Sequence, residues 1–111
     1  MNSAERSEEP AYSVALSSSA YFVYAHITVQ SDLAAVDKAL GMLADFPHMG
    51  VRYEPAYAAN TLGFPARVIY AGHYAIYYEV DDEVRAIAID YIEDQRRDPA
   101  KRFTDIEGFY G

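Results

Sequence analysis

The 111-residue sequence predicts an α+β domain of order β-α-α-β-β-β, a helix hairpin packed on a small, mostly antiparallel sheet. Three observations carry this. Residues 31–46 hold an apolar stripe at helical spacing, closed by Pro47 and Gly50. Residues 66–92, ARVIYAGHYAIYYEVDDEVRAIAIDYI, alternate with period two between turn residues. The helical pattern also precedes the main run of strands instead of interleaving with it, which segregates the helices to one face of the sheet.

The elements follow in order. The opening MNSAERSEEP is polar and acidic and is expected to form a disordered tail over residues 1–10. One domain then spans 11–103, with a C-terminal tail at 104–111. AYSVAL alternates, so Tyr12, Val14 and Leu16 share one side of a first strand. Ser17, Ser18 and Ser19 offer N-caps for a helix running to about Val29, with Tyr21, Phe22 and Tyr24 on a broad apolar surface. Ser31 is the expected cap of the second helix, and Asp32 favours its first turn through the helix dipole. Its stripe is Leu33, Val36, Leu40 and Leu43, with Leu40 expected in the core. VRYEPAYAANTLGFP is expected as loop. Three strands follow. Tyr74, Ile76, Tyr78 and Val80 share one face of the middle one, with Ala75, Tyr77 and Glu79 on the other. In the last strand Arg85, Ile87, Ile89 and Tyr91 are expected on a single face.

Composition bounds the function. Half the residues are hydrophobic (51%), enough for a real core, and there is no cysteine, which removes disulfides and thiolate metal sites. His26 and His48 lack ligand-like neighbours, so neither metal nor cofactor is expected. The start lacks the basic and apolar regions of a signal peptide, and the apolar runs fall far short of the roughly 20 residues that span a bilayer. A soluble, cytoplasmic protein without membrane contact is the expectation. The net charge of −8 opposes general coating of nucleic acid. Four of the nine basic residues nevertheless cluster as Arg96, Arg97, Lys101 and Arg102. The 11 tyrosines suit either the filling of a small sheet or an interface core.

Three segments taken in order, LADFPHMG, PARVIYAGHYAIYYEVDDEVRAIAI and DQRRDP, resemble the RelE/ParE superfamily of toxins from type II toxin–antitoxin systems. The resemblance covers roughly residues 11–103. It implies a cognate antitoxin as partner and one of two actions. RelE-like members cut mRNA on the ribosome through attack of a 2′-OH on the adjacent phosphate. ParE-like members inhibit DNA gyrase and need no catalytic set. On the first reading the candidate catalytic residues are Arg67, His73, Arg96 and Arg97. The arginine expected after the G-x-Y tyrosine is Ala75, the basic positions of the preceding strand fall on Ala66 and Val68, and the C-terminal tyrosine position is Phe103. A one-residue register slip would bring Arg67 onto the face of Val68. Candidate partner-binding residues are Tyr21, Phe22, Tyr24, Tyr77 and Tyr91, for an antitoxin segment or a homodimer. Each feature has an ordinary alternative: Arg96 and Arg97 could pair with Asp94, Asp98 or Glu93, and His73 could simply be exposed. A non-toxic interaction module with the same fold is the third class.

Overall fold

The structure, a computed structural model, describes residues 11–54 and 62–103. The two expected tails and the middle of the expected loop lie outside the described residues. The chain runs β1 (Ser13–Leu16), α1 (Ser18–Ala25), α2 (Gln30–Asp45), β2 (Val51–Arg52), β3 (Arg67–Ala71), β4 (Tyr74–Asp81) and β5 (Ala86–Asp94), then a 3-10 turn at Pro99–Lys101. The sheet order is β1-β5-β4-β3-β2. Among the described strands only the β1–β5 pair is parallel. This is the expected α+β arrangement, with both helices on one face.

Ser17 caps α1: its hydroxyl accepts from the Ala20 N–H at 3.1 Å and donates to the Asp90 carbonyl at 2.8 Å. One side chain thus fixes both the helix start and its seat on β5. The helix ends at Ala25, four residues sooner than expected. The β-branched run Ile27-Thr28-Val29 follows, which disfavours helix, and Ile27 turns into the core. His26 Nδ1 lies 2.7 Å from the Phe22 carbonyl, answering one of the orphan acceptors of the last turn. The cap of α2 is Val29 rather than Ser31, and it makes no side-chain bond. Ser31 sits inside the first turn.

The core lies between the helices and the sheet: Val36 and Leu43 from α2 meet Ile69, Ile76, Tyr78, Ile87, Ile89 and Ile92. Leu40 is only partly buried against it, which corrects its expected core place. The loop expectation is corrected at its start, where Val51–Arg52 forms a short edge strand paired with Val68 and Arg67. Gly50 precedes it because a Cβ there would stand 2.5 Å from the Tyr78 hydroxyl, which accepts the Gly50 N–H at 2.9 Å.

A β-bulge changes the last strand. Tyr91 pairs with Tyr77, but Ile89 pairs with Tyr78, so Asp90 is an extra residue between them. The insertion flips the alternation. Ile87, Ile89 and Ile92 face the helices, whereas Tyr91 joins Tyr77 on the outer face. The expectation that Tyr91 shares a face with Ile87 and Ile89 is therefore corrected.

Candidate functional site

The outer face of the sheet carries an aromatic cluster. Val68, Ala75 and Tyr77 are buried there beneath Tyr53, Leu62, Tyr91 and Phe103. The rings meet edge to face: Tyr77–Phe103 at 4.8 Å, Tyr53–Tyr77 at 4.9 Å and Tyr91–Phe103 at 5.0 Å between centroids. Such geometry sets positive ring edges against negative faces. Burial pushes the Tyr77 phenol up to about 12. Tyr77, expected as a partner-binding residue, is placed within this cluster with only 2% of its surface exposed. Tyr91 is half-buried in the same cluster.

Phe103 is held in place by a residue that sequence reasoning missed. Its N–H donates to Glu93 Oε2 at 2.8 Å, and its backbone is left-handed at φ +64°. Glu93 is buried, and burial raises its carboxyl against the opposing Phe103 N–H and the charges of Arg97 and Arg102. Arg97 Nη1 stands 3.6 Å from Glu93 Oε1. The sequence offered Glu93 only as a short-range partner of Arg96 and Arg97, which does not reveal that its carboxylate is buried or that it holds Phe103. Further along the same face Glu79 bonds Asp90, and burial raises the Asp90 carboxyl to about 7.

A second cluster lies at the turn between β3 and β4. Gly72 takes φ +59° there, and a Cβ on it would collide with Asp32 Oδ1. Asp32, 3% exposed, accepts from the His73 N–H at 3.1 Å and holds His73 Nδ1 at 3.0 Å from Oδ2. The hydrogen bond from His73 draws the Asp32 carboxyl below its usual range. His73 is exposed, as its ordinary alternative had it, but oriented. Arg96 grips Asp94 in two bonds of 2.8 Å each, from Nε and Nη2, and its charge reaches Asp32.

The four candidate catalytic residues therefore do not converge. His73 and Arg96 share one end of the sheet. Arg97 faces Glu93 on the outer side. Arg67 pairs across from Tyr78, on the helix-side face, and donates to the Gly50 carbonyl at 2.8 Å. The register is the unslipped one, so Arg67 does not join Val68. Among the partner candidates, Tyr21 is 60% and Phe22 40% exposed on α1, while Tyr24 is half-buried and bonded to Asp37. Among the described residues no group of His, Asp or Glu could hold a metal, and no helix is long and apolar enough to cross a membrane.

A two-helix layer on a five-stranded sheet of this order is the fold of small RelE-type toxins. Mycobacterium tuberculosis RelBE2, solved as a toxin–antitoxin complex, matches at TM-score 0.59 and 22% identity, over 76% of this chain and 98% of that one. The archaeal RelE of the Pyrococcus horikoshii RelE–RelB complex matches at 0.57 and 14%, over 79% and 99%. Free Escherichia coli toxin RelE matches at 0.53 and 18%, over 78% and 85%. These likenesses establish the fold. Among curated proteins none matches the sequence. The family model for the ParE toxin of type II toxin–antitoxin systems, parDE, matches residues 21–99, and the chain belongs to that family.

Proposed function

We propose that this chain is the toxin of a cytoplasmic type II toxin–antitoxin module, that it inhibits growth by binding a target in the ParE-like manner, DNA gyrase, and that a cognate antitoxin neutralises it. The observation that carries the non-catalytic reading is the filling of the outer sheet face. RNA cleavage there needs a base for the 2′-OH, cations for the phosphorane and an acid for the leaving oxygen. That face instead holds the packed rings of Tyr77, Tyr91 and Phe103, with Tyr77 buried away from any substrate and an arginine engaged with a buried glutamate. Arg67 lies on the other face. The antitoxin reading draws on two structural relatives, both solved as toxin–antitoxin complexes, and on the exposed Tyr21 and Phe22.

One observation favours a second reading, a RelE-like ribonuclease. Asp32 orients His73 and leaves the imidazole half exposed, with Arg96 nearby. The discriminating experiment is induced expression without antitoxin, with mRNA 5′ ends mapped. Growth arrest with intact mRNA supports the gyrase reading. Cuts within codons that vanish in Arg96→Ala/Arg97→Ala support the ribonuclease. No arrest at high soluble expression leaves a non-toxic interaction module.

A further inference from the structure

Two surface features meet at His48. The first is apolar: Met42, Phe46 and Met49, at the end of α2 and the turn beyond it, expose 37%, 62% and 43% of their surfaces around a shallow hollow. The second is a cleft of about 330 Å³ where β2, β3 and β4 come together, lined by Arg52, Arg67, Tyr78, Val80 and Asp82. His48 lines both, so the hollow and the cleft adjoin at its side chain as the two parts of a surface groove.

The charges in the cleft are unevenly committed. Asp82 accepts from the Tyr12 hydroxyl and holds His48 Nε2 at 3.1 Å. Glu79, at the rim, is engaged with Asp90. Arg67 is part-buried, gives Nη1 to the Gly50 carbonyl, and among the described residues forms no ion pair. Arg96 and Arg97, by contrast, each have a carboxylate. The charge of Arg67 reaches Asp82 and helps lower that carboxyl, but Asp82 is already bonded by Tyr12 and His48. A part-buried guanidinium with no carboxylate in direct contact among the described residues, in a cleft that adjoins exposed methionines and a phenylalanine, is complementary to an apolar segment that also carries a carboxylate. Methionines suit such a surface because their side chains re-pack around varied anchors. A nucleic-acid strand fits worse, since its repeated phosphates would approach a chain of net charge −8.

We propose that this groove is a docking site for a protein segment whose apolar side chains lie on Met42, Phe46 and Met49 and whose carboxylate pairs with Arg67. The proposal rests on the antitoxin reading above and deepens it: the segment belongs to the antitoxin, and the groove is a contact separate from the exposed face of α1.

The test uses the full chain and, as probe, the product of the small reading frame next to its gene, with binding measured by titration calorimetry at low and high salt. Wild type is expected to bind. Arg67→Met should weaken binding about tenfold or more and flatten its salt dependence, with Arg67→Lys recovering part of the loss. Phe46→Ser, which changes no charge, should weaken binding comparably with the salt dependence kept. Thermal melts establish that each variant is folded, and Arg52→Met gives a second reading of the cleft should Arg67→Met not fold. If wild type binds and all folded groove variants bind equally well, the groove proposal is overturned while the antitoxin reading stands. If wild type does not bind, the antitoxin reading fails and this proposal falls with it. Binding of the groove to a second copy of the chain, seen as a wild-type dimer that Phe46→Ser dissolves, would likewise overturn it.

Discussion

Asp32, in the first turn of α2, holds His73, in the turn between β3 and β4, by two contacts: the backbone N–H at 3.1 Å and the ring Nδ1 at 3.0 Å. The pair fastens the start of a helix to the sheet beneath it. Because the bond from His73 lowers the Asp32 carboxyl, its stabilising effect is full above the unfolded carboxylate range, about pH 4, and is lost as pH falls through the lower folded value. Asp32→Asn should therefore reduce the urea midpoint at pH 7 and flatten its decline below pH 4. A variant whose curve parallels wild type throughout would show that the pair contributes nothing.

The bulge pair has the opposite sign. Asp90 is raised to about 7, so between about pH 4 and 7 the folded state keeps a proton that the unfolded chain releases. Stability should fall as pH rises across that window and level off above it. Asp90→Asn should reduce that fall, leaving the part that the raised Glu93 carboxyl contributes, and gain about 1–2 kcal/mol at pH 8, allowing for solvent screening. Denaturant titrations from pH 4 to 8 read both the slope and the gain.

Core and rim should separate cleanly. Ile76 is fully buried between β4 and the helices, and Ile76→Ala should cost about 2–5 kcal/mol. Leu40 is only partly buried, and Leu40→Ala should cost about 1–2 kcal/mol. Equal losses would mean that α2 is seated deeper than described.

These cases show where the sequence was legible. The stripe of α2 and the alternation of β3 and β4 are repeated signals, each position reinforcing the next, and they placed Val36, Leu43, Ile76 and Tyr78 correctly. The bulge rests on one residue, Asp90, whose backbone is bonded by Ser17 from far along the chain; no local pattern marks it, and it moved Tyr91 to the other face. The early stop of α1 and the Val29 cap follow from Ile27 turning inward, a tertiary preference that overrode the serine signal. Around the site the ion pairs of Arg96 with Asp94 and Arg97 with Glu93 were within reach as short-range alternatives. The bonds from Asp32 to His73 and from Glu93 to Phe103 join residues 41 and 10 apart, and only the fold brings them together.

Phe103 closes the outer face, and its removal should be felt there alone. Phe103→Ala should cost about 1–3 kcal/mol and alter the near-ultraviolet circular dichroism of the tyrosines while the far-ultraviolet spectrum stays unchanged. An unaltered near-ultraviolet spectrum would place Phe103 away from Tyr77 and Tyr91 in solution.

The central claim is that this toxin-family chain acts by binding and not by cutting RNA. The most direct measurement is a supercoiling assay with purified gyrase, relaxed plasmid and increasing amounts of the protein. Inhibition that grows with dose, persists in Arg96→Ala/Arg97→Ala and is relieved by the adjacent-frame product is the predicted result. Full supercoiling at every dose, together with wild-type cleavage of ribosome-bound mRNA that the double variant abolishes, would contradict it.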